Sequence, residues 1–166
     1  ILKEKILENI WIQPAAGDAG GSLGAALAYW YIELNKSRKI TNNDKMKGSY
    51  LGPSYSNEEI QKSLSELGAK FQILSDDDLI KKTSDDLASG HAIGWFQGRM
   101  EFGPRALGGR SIIGDPRSPN MQKNLNLKVK YRESFRPFAP SVLREDVDKW
   151  FELNIDSPYM LSLIHI

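Results

Sequence analysis

Arginines beside glycines and prolines are the residues of this sequence best suited to chemistry on an anion. Between Gln97 and Arg136 the chain has nine Lys or Arg residues against three Asp or Glu, a local net charge of +6. The whole chain carries +1, so the other residues sum to −5 and the positive charge is concentrated here. We call this stretch the basic segment. Its charge predicts an anionic partner.

The guanidinium group is a rigid, permanently charged fork of donors that matches phosphate and carboxylate. In α/β proteins, turns at strand ends are where ligands bind. The basic segment therefore predicts a cleft for phosphorylated small molecules such as a nucleotide and a second substrate. The candidate residues are Arg99, Arg105, Arg110, Arg132 and Arg136, with Ser111 as a hydroxyl ligand to phosphate.

Other interpretations of the basic segment stay open. The arginines could form ion pairs with Glu101 and Glu133, or bind nucleic acid with the help of neighbouring aromatic residues, although the near-neutral chain argues against a nucleic-acid partner. The segment is not a P-loop, because Pro104-Arg105 stands where Lys-Ser/Thr is required. His91 is interpreted as structural, and a metal site built from two or three histidines is absent from the sequence.

A second glycine-rich turn, Asp18 to Ser22, precedes a helix with apolar residues at helical spacing. Glycines at a helix start let the backbone approach an anionic ligand closely. The alternative is a tight strand-to-helix turn in which Asp18 or Ser22 is an N-cap. From the residues alone the N-cap interpretation is preferred.

Composition predicts a soluble, cytoplasmic protein. Apolar residues make up 40% of the chain and charged residues 26%, as in ordinary globular proteins. There is no cysteine, no signal peptide pattern and no apolar run of membrane-spanning length, so we expect no membrane partner. The chain begins at Ile1 without a Met, which suggests missing upstream sequence, and the apolar end 161–166 is interpreted as a non-native tail.

Helices alternating with short apolar strands predict an α/β fold. The polar stretch 37–49 is a predicted linker. Capping signals at Ser56 and Ser75 predict two helices, the second running to Gly90. The remaining predictions are strands over 10–13, 71–74, 91–97, 111–113 and 141–143, of which the strand over 91–97 is expected to be buried. Helices are predicted over 120–129 and 146–153, the second with Val147, Trp150 and Phe151 inside.

Two motifs carry a family resemblance. The sequences GRMEFGPRALGGRSIIGDPR and VKYRESFRPFAPSVLRED resemble the C-terminal region of the O-carbamoyltransferases that act on nodulation factors and antibiotics. The upstream sequence QPAAGDAGGSLGAAL resembles the end of that family's N-terminal domain. Gly109 departs from the pattern, where a larger polar residue such as Asn or His is expected.

The resemblance implies an organisation into domains. Residues 1–36 would be the remnant of an actin/hexokinase-like domain, here a strand and a helix. Residues 50–160 would be a C-terminal domain with a YrdC-like mixed twisted sheet and flanking helices, incomplete at its C-terminus. The rest of the N-terminal domain would be a partner in the same polypeptide.

The resemblance also implies a reaction. The C-terminal domain would convert carbamoyl phosphate and ATP, with Mg²⁺, into carbamoyl adenylate, and the N-terminal domain would transfer the carbamoyl group to an acceptor hydroxyl. The residues carried over are Arg99, Arg105, Arg110 and Lys130 for catalysis and Ser111, Arg132 and Arg136 for nucleotide binding. Asp18 resembles the family's aspartate ligand to a transition metal, which favours the ligand role over the N-cap. The alternative is a YrdC-like module that binds nucleotide or RNA, as in tRNA-modification proteins.

Overall fold

A computed structural model of the chain describes residues 4–8, 13–41, 43–152 and 156–160. Within these residues the protein has five α-helices and two β-strands, so the predicted α/β class is confirmed. The YrdC-like sheet and the actin/hexokinase-like remnant stay predictions. No helix in the described ranges is long and apolar enough to cross a membrane.

Contacts divide the chain into two compact units that alternate along the sequence. Unit 1 holds the described residues within Ile1–Gly52, Glu101–Leu107 and Ser157–Ile166. Unit 2 holds those within Pro53–Met100 and Gly108–Asp156. The basic segment therefore contributes residues to both units. The domain boundaries proposed from the sequence stay a prediction.

The main helix of unit 1 is α1, Asp18–Ala28, which continues as a π-helical turn over Tyr29–Glu33. Its predicted apolar face exists, yet much of it is open to solvent, since Leu27, Trp30 and Leu34 are all exposed. The spacing of apolar residues thus predicted the helix correctly but not what covers its face.

Unit 2 begins with two helices that start where the capping signals predicted. Helix α2 is Asn57–Glu66, and Ser56 and Glu59 form a complete capping box at its start. Helix α3 is Asp76–Ala88, where the Ser75 hydroxyl accepts the N–H of Asp78. Both caps satisfy backbone donors that a helix start leaves without a partner, which is why short local signals set these boundaries.

The sheet in unit 2 is an antiparallel pair of β1, Ile93–Phe96, and β2, Arg110–Ile113. Ile93 pairs with Ile113 and Phe96 pairs with Arg110. Helix α3 packs next to β1. The prediction of a buried strand over 91–97 is wrong in its burial, because alternate residues of β1 are exposed.

Helix α4, Met121–Asn124, runs directly into a π-helical turn, Leu125–Val129, as the predicted helix over 120–129 required. Met121 and Leu125 are buried, each 5% exposed, and among the described residues no other aliphatic or aromatic side chain, proline aside, is buried to this degree. The last helix is α5, Val147–Trp150, preceded by a 3₁₀ turn, Arg144–Asp146.

Three further predictions of secondary structure or burial are wrong. Residues 71–74 and 141–143 have no strand, because neither segment pairs with another in the described structure. Trp150 was predicted to lie inside, but 74% of its surface is exposed. The strand predicted over 10–13 lies almost entirely outside the described residues.

Candidate active site

The turn Glu101–Leu107 of unit 1 presents Arg105, and its two ends are joined by hydrogen bonds. The carboxylate of Glu101, which is only 5% exposed, accepts the N–H of Leu107 at 2.7 Å. The Tyr50 hydroxyl donates to the carbonyl of the same leucine. Both backbone polar groups of Leu107 are hydrogen-bonded, so the end of the turn is held at a fixed distance from Glu101.

A second set of contacts holds the beginning of the turn. Ser49 is 1% exposed, and its carbonyl accepts the N–H of Phe102 at 2.6 Å. Gly103 has φ +106° and passes so close to Ala15 that an added Cβ would lie 2.8 Å from the Ala15 methyl. Glycine is needed here both for its backbone angle and for its lack of a side chain.

These contacts enclose a cavity of about 80 Å³ in unit 1. Its lining includes Ser49, Phe102, Pro104, Arg105, Leu107 and Tyr159. Sites for drug-sized ligands usually measure at least about 300 Å³, whereas one water takes up about 30 Å³. The cavity is therefore larger than a single water and smaller than a site for a drug-sized ligand, and the exposed Arg105 lies at its wall.

Tyr159 lines the cavity, and the pKa of its hydroxyl is raised. Burial and a hydrogen bond donated to the Asp44 carboxylate raise the pKa of Tyr159 to about 12. The same hydrogen bond, opposed by partial burial, lowers the pKa of Asp44. Near neutral pH the tyrosine is therefore a neutral donor, and it is not suited to act as a general base.

Asp18 is the first residue of α1 and is exposed. The N-cap interpretation is wrong for both residues considered, because Gly17 occupies the cap position and the Ser22 hydroxyl donates to the carbonyl of Ala19. Gly20 is needed for close packing, since a Cβ there would lie 2.6 Å from the Ala15 carbonyl oxygen. Gly20 therefore has a packing role whatever binds at the turn, whereas a Cβ at Gly21 would meet nothing within 4 Å.

The described residues do not by themselves make a metal centre around Asp18. Among them there is no group of three or more His, Cys, Asp or Glu side chains close enough to hold an ion. A single carboxylate does not meet the usual requirement of several ligands. The assignment of Asp18 as a metal ligand stays a prediction.

In unit 2 the two strands position three of the candidate residues. Arg110 is the first residue of β2, and Ser111, next to it, is paired with Trp95 of β1. The Ser111 Oγ accepts the N–H of Gly108 at 3.1 Å, which fixes the hydroxyl within the turn before β2. Arg99 lies in the bend after β1 and is exposed.

The other three candidates in unit 2, Lys130, Arg132 and Arg136, lie in the loop after α4. Arg132 Nε donates to Oδ1 of Asn126 at 2.6 Å, and Asn126 Nδ2 donates to the Arg136 carbonyl at 2.8 Å. Asn126 is 0% exposed. One buried asparagine thus brings two predicted nucleotide-binding residues together.

Arg136 has an acidic partner, as one of the alternatives for the basic segment anticipated. Its Nε lies 2.7 Å from the Glu133 carboxylate. The backbone N–H of Glu133 and this arginine together lower the pKa of the glutamate. Arg117, which was not a candidate, is paired in the same way with Asp115 at 2.7 Å. Pairing reduces the charge that these two arginines can offer to a ligand.

The predicted site residues therefore fall into separate groups. Arg105 and Asp18 belong to unit 1, and the remaining candidates belong to unit 2. Asn126, Ser49 and Tyr50 were not predicted from the sequence. For Asn126 a signal existed, because Gln122 lies four residues earlier on the same helical face and also reaches the loop. No local signal predicted Ser49 or Tyr50, because their hydrogen-bond partners lie more than fifty positions away in the sequence.

Comparison with known families gives these residues a context. The family model of the carbamoyltransferase C-terminus matches residues 84–166, half of the chain. The chain belongs to this family. The matched range contains every candidate residue except Asp18, and it contains the whole basic segment. The family resemblance inferred from the motifs is thereby confirmed.

The relatives that match this chain are considerably longer. The protein sll1178 of Synechocystis sp. is 60% identical over 168 residues, which cover 100% of this chain and 27% of the relative. Nodulation protein NolNO of Sinorhizobium fredii is 42% identical over 154 residues, 92% of this chain and 22% of the relative. Nodulation protein U of Rhizobium fredii is 33% identical over 156 residues, 94% and 24% respectively. The chain spans about a quarter of the length of these relatives.

Proposed function

We propose that this chain is part of an ATP-dependent O-carbamoyltransferase and contributes residues to the step that forms carbamoyl adenylate from carbamoyl phosphate and ATP. The carbamoyl group is then transferred to a hydroxyl of an acceptor molecule. The observation that carries the proposal is that a carbamoyltransferase family match coincides with turns that present arginines. Two nodulation proteins among its relatives are consistent with it.

The charge of the substrates agrees with this assignment. Carbamoyl phosphate and ATP are both multiply anionic. Hydrolysis of carbamoyl phosphate gives carbamate and inorganic phosphate, and attack of a carbamate oxygen on the α-phosphorus of ATP forms carbamoyl adenylate and releases pyrophosphate. Preorganised cations stabilise such a transfer without having to reorganise during it. Arg99, Arg105, Arg110 and Lys130 are proposed to stabilise this charge. Ser111, Arg132 and Arg136 are proposed to bind the nucleotide.

The size of the cavity beside Arg105 favours binding of a small anionic group there over binding of a whole nucleotide. Its volume of about 80 Å³ suits the phosphate or carbamoyl part of carbamoyl phosphate. The neutral Tyr159 hydroxyl and the fixed turn around Leu107 add polar groups at its wall. We assign Arg105 to carbamoyl phosphate on this basis.

The proposal includes the finer assignments of fold and cofactor. Residues 50–160 belong to a YrdC-like domain, and residues 1–36 belong to an actin/hexokinase-like domain that carries out the transfer. Mg²⁺ accompanies ATP, and Asp18 supplies one ligand to a metal whose other ligands come from elsewhere in the full-length protein. The reaction takes place in the cytoplasm.

Exchange of labelled pyrophosphate into ATP by the full-length protein tests the proposed function. We expect exchange that depends on carbamoyl phosphate, that is lost in Arg105→Ala and that is retained in Arg117→Ala. Arg117 is a matched control because its guanidinium is already paired with Asp115. Binding of ATP without any exchange in the wild-type protein would overturn the proposal and favour a nucleotide sensor.

A further inference from the structure

The loop that follows α4 is attached to the helix by two amide side chains. Asn126 Nδ2 donates to the carbonyls of Ser134 at 3.1 Å and Arg136 at 2.8 Å. Gln122 Nε2 donates to the carbonyls of Phe135 at 3.1 Å and Arg136 at 3.2 Å. Both amides therefore fix the backbone of the loop at residues 134–136.

Asn126, unlike Gln122, also accepts hydrogen bonds from Arg132. Its Oδ1 accepts the Nε–H of Arg132 at 2.6 Å, and its backbone carbonyl accepts the N–H of the same arginine at 2.9 Å. The guanidinium carbon also lies 4.9 Å from the centre of the Phe138 ring. Contacts from two sides therefore fix the plane and direction of this guanidinium.

The direction matters because a guanidinium has one Nε–H and two terminal amino groups. With Nε–H donated to the buried Asn126, the two terminal Nη groups remain as a fork of donors. In the part of the chain that the structure describes, no hydrogen bond or ion pair uses those Nη groups. A fork of this kind matches two oxygens of a phosphate.

The neutrality of Asn126 preserves the charge of Arg132. A carboxylate at the same place would hold the guanidinium equally well but would neutralise it. The adjacent acid, Glu133, forms its ion pair with Arg136 and attracts Arg132 only more weakly, without a direct ion pair. The arrangement differs from those of Arg136 and Arg117, each of which is bound to a carboxylate.

We infer that Asn126 is a positioning residue, which orients Arg132 as an un-neutralised bidentate fork for a phosphate group of ATP. The inference rests on the proposed function for the identity of the nucleotide. Asn126 does not touch the ligand in this account. It affects ATP binding only by fixing the orientation of Arg132.

A double-mutant cycle on the full-length protein tests the inference, with ATP affinity measured by isothermal titration calorimetry. Loss of a charge-assisted bidentate contact in Arg132→Ala is expected to weaken ATP binding by about tenfold to a hundredfold. Asn126→Ala is expected to weaken it by roughly tenfold in the wild-type background but by less than about twofold in the Arg132→Ala background. A merely structural role would weaken binding equally in both backgrounds.

Gln122→Ala is the matched control, because it removes hydrogen bonds to the same loop without touching Arg132. Its ATP affinity is expected to stay within about twofold of wild type. Thermal unfolding shows whether each variant is folded. If Asn126→Ala does not fold, Asn126→Asp takes its place. This change keeps the acceptor for Arg132 but neutralises the arginine and removes the hydrogen bonds to the Ser134 and Arg136 carbonyls, so it is also expected to weaken ATP binding.

The outcomes separate this inference from the proposed function. Carbamoyl-phosphate-dependent pyrophosphate exchange together with additive effects of Asn126→Ala and Arg132→Ala would overturn the inference alone. So would an unchanged ATP affinity in a folded Asn126→Asp variant. Coupled effects on ATP binding without any exchange would support the inference and overturn the proposed function. Absence of ATP binding by the wild-type protein would overturn both.

Discussion

The buried carboxylate of Glu101 accepts the backbone N–H of Leu107 at 2.7 Å, across the turn that presents Arg105. A glutamate in an arginine-rich sequence is expected to pair with a neighbouring cation or to act as an acid or base. Here one of its oxygens closes a backbone turn. The geometry of the arginine therefore depends on an acid that need not meet the substrate.

Replacing Glu101 should loosen this turn. Hydrogen bonds that involve a charged group contribute about 1.5–3 kcal/mol, so Glu101→Ala should lower the stability of the turn by that order. Hydrogen–deuterium exchange of peptides covering 101–107 is expected to be faster in this variant. Glu101→Gln, which keeps an acceptor oxygen, should show a smaller increase. Equal exchange in wild type and Glu101→Ala would contradict a structural role for the carboxylate.

Arg105→Lys should not be a conservative change. A lysine ammonium is a point charge that does not reproduce the bidentate guanidinium fork. We expect kcat/KM for carbamoyl phosphate to fall by about tenfold to a hundredfold, in line with the loss of a charge-assisted hydrogen bond. Arg117→Lys is the control and should retain wild-type kcat/KM. Unchanged kinetics of Arg105→Lys would exclude a direct contact with the substrate.

Gly103→Ala and Gly24→Ala should change stability in opposite directions. At position 103 the left-handed backbone and the contact with Ala15 make a side chain costly, by about 1–3 kcal/mol. Position 24 lies inside α1, and an added Cβ there meets nothing within 4 Å. Replacing a helical glycine by alanine stabilises by about 0.5–1 kcal/mol. Urea denaturation of both variants measures the two effects, and a stable Gly103→Ala variant would refute the close approach.

Tyr131→Gly should stabilise the loop after α4. Tyr131 has φ +50° and is 86% exposed, so its backbone is strained while its side chain buries little surface. Removing Cβ from a left-handed residue relieves roughly 1–2 kcal/mol of strain, offset in part by the greater freedom of glycine when unfolded. A higher melting temperature is expected for Tyr131→Gly but not for Tyr131→Ala, which keeps Cβ. Equal melting temperatures for the two variants would argue against strain.

The Asp115–Arg117 pair should stabilise the protein only above acid pH. Hydrogen bonds from the Arg117 side chain and then its backbone N–H lower the pKa of Asp115 in the folded state. The folded state therefore binds fewer protons than the unfolded state, so the stabilisation is present above the unfolded value, about 3.9, and is lost as the pH falls through the folded pKa. The difference in stability between wild type and Asp115→Asn should stay constant at higher pH and shrink as the pH falls from about 5 through the folded pKa, which lies below about 3.9. A difference independent of pH would contradict this origin.

Local signals in the sequence predicted the helices of unit 2 well. Ser56 and Ser75 cap α2 and α3 as expected, because a cap depends on residues only three positions apart. The strand at Arg110–Ile113 was also expected from three apolar or small residues between turn signals. The strands predicted at 71–74 and 141–143 failed, since short apolar segments become strands only if a partner strand pairs with them.

The sequence by itself determined that positive charge and turn residues coincide in the basic segment, and its motifs were sufficient to indicate the carbamoyltransferase family. Both properties reside in the order of residues along the chain. Only the tertiary structure decided how individual cations are held. Arg136 is neutralised by an acid, whereas Arg132 is held by the neutral, buried Asn126. Burial of a polar group depends on partners brought together by folding, and residue order alone does not specify those partners.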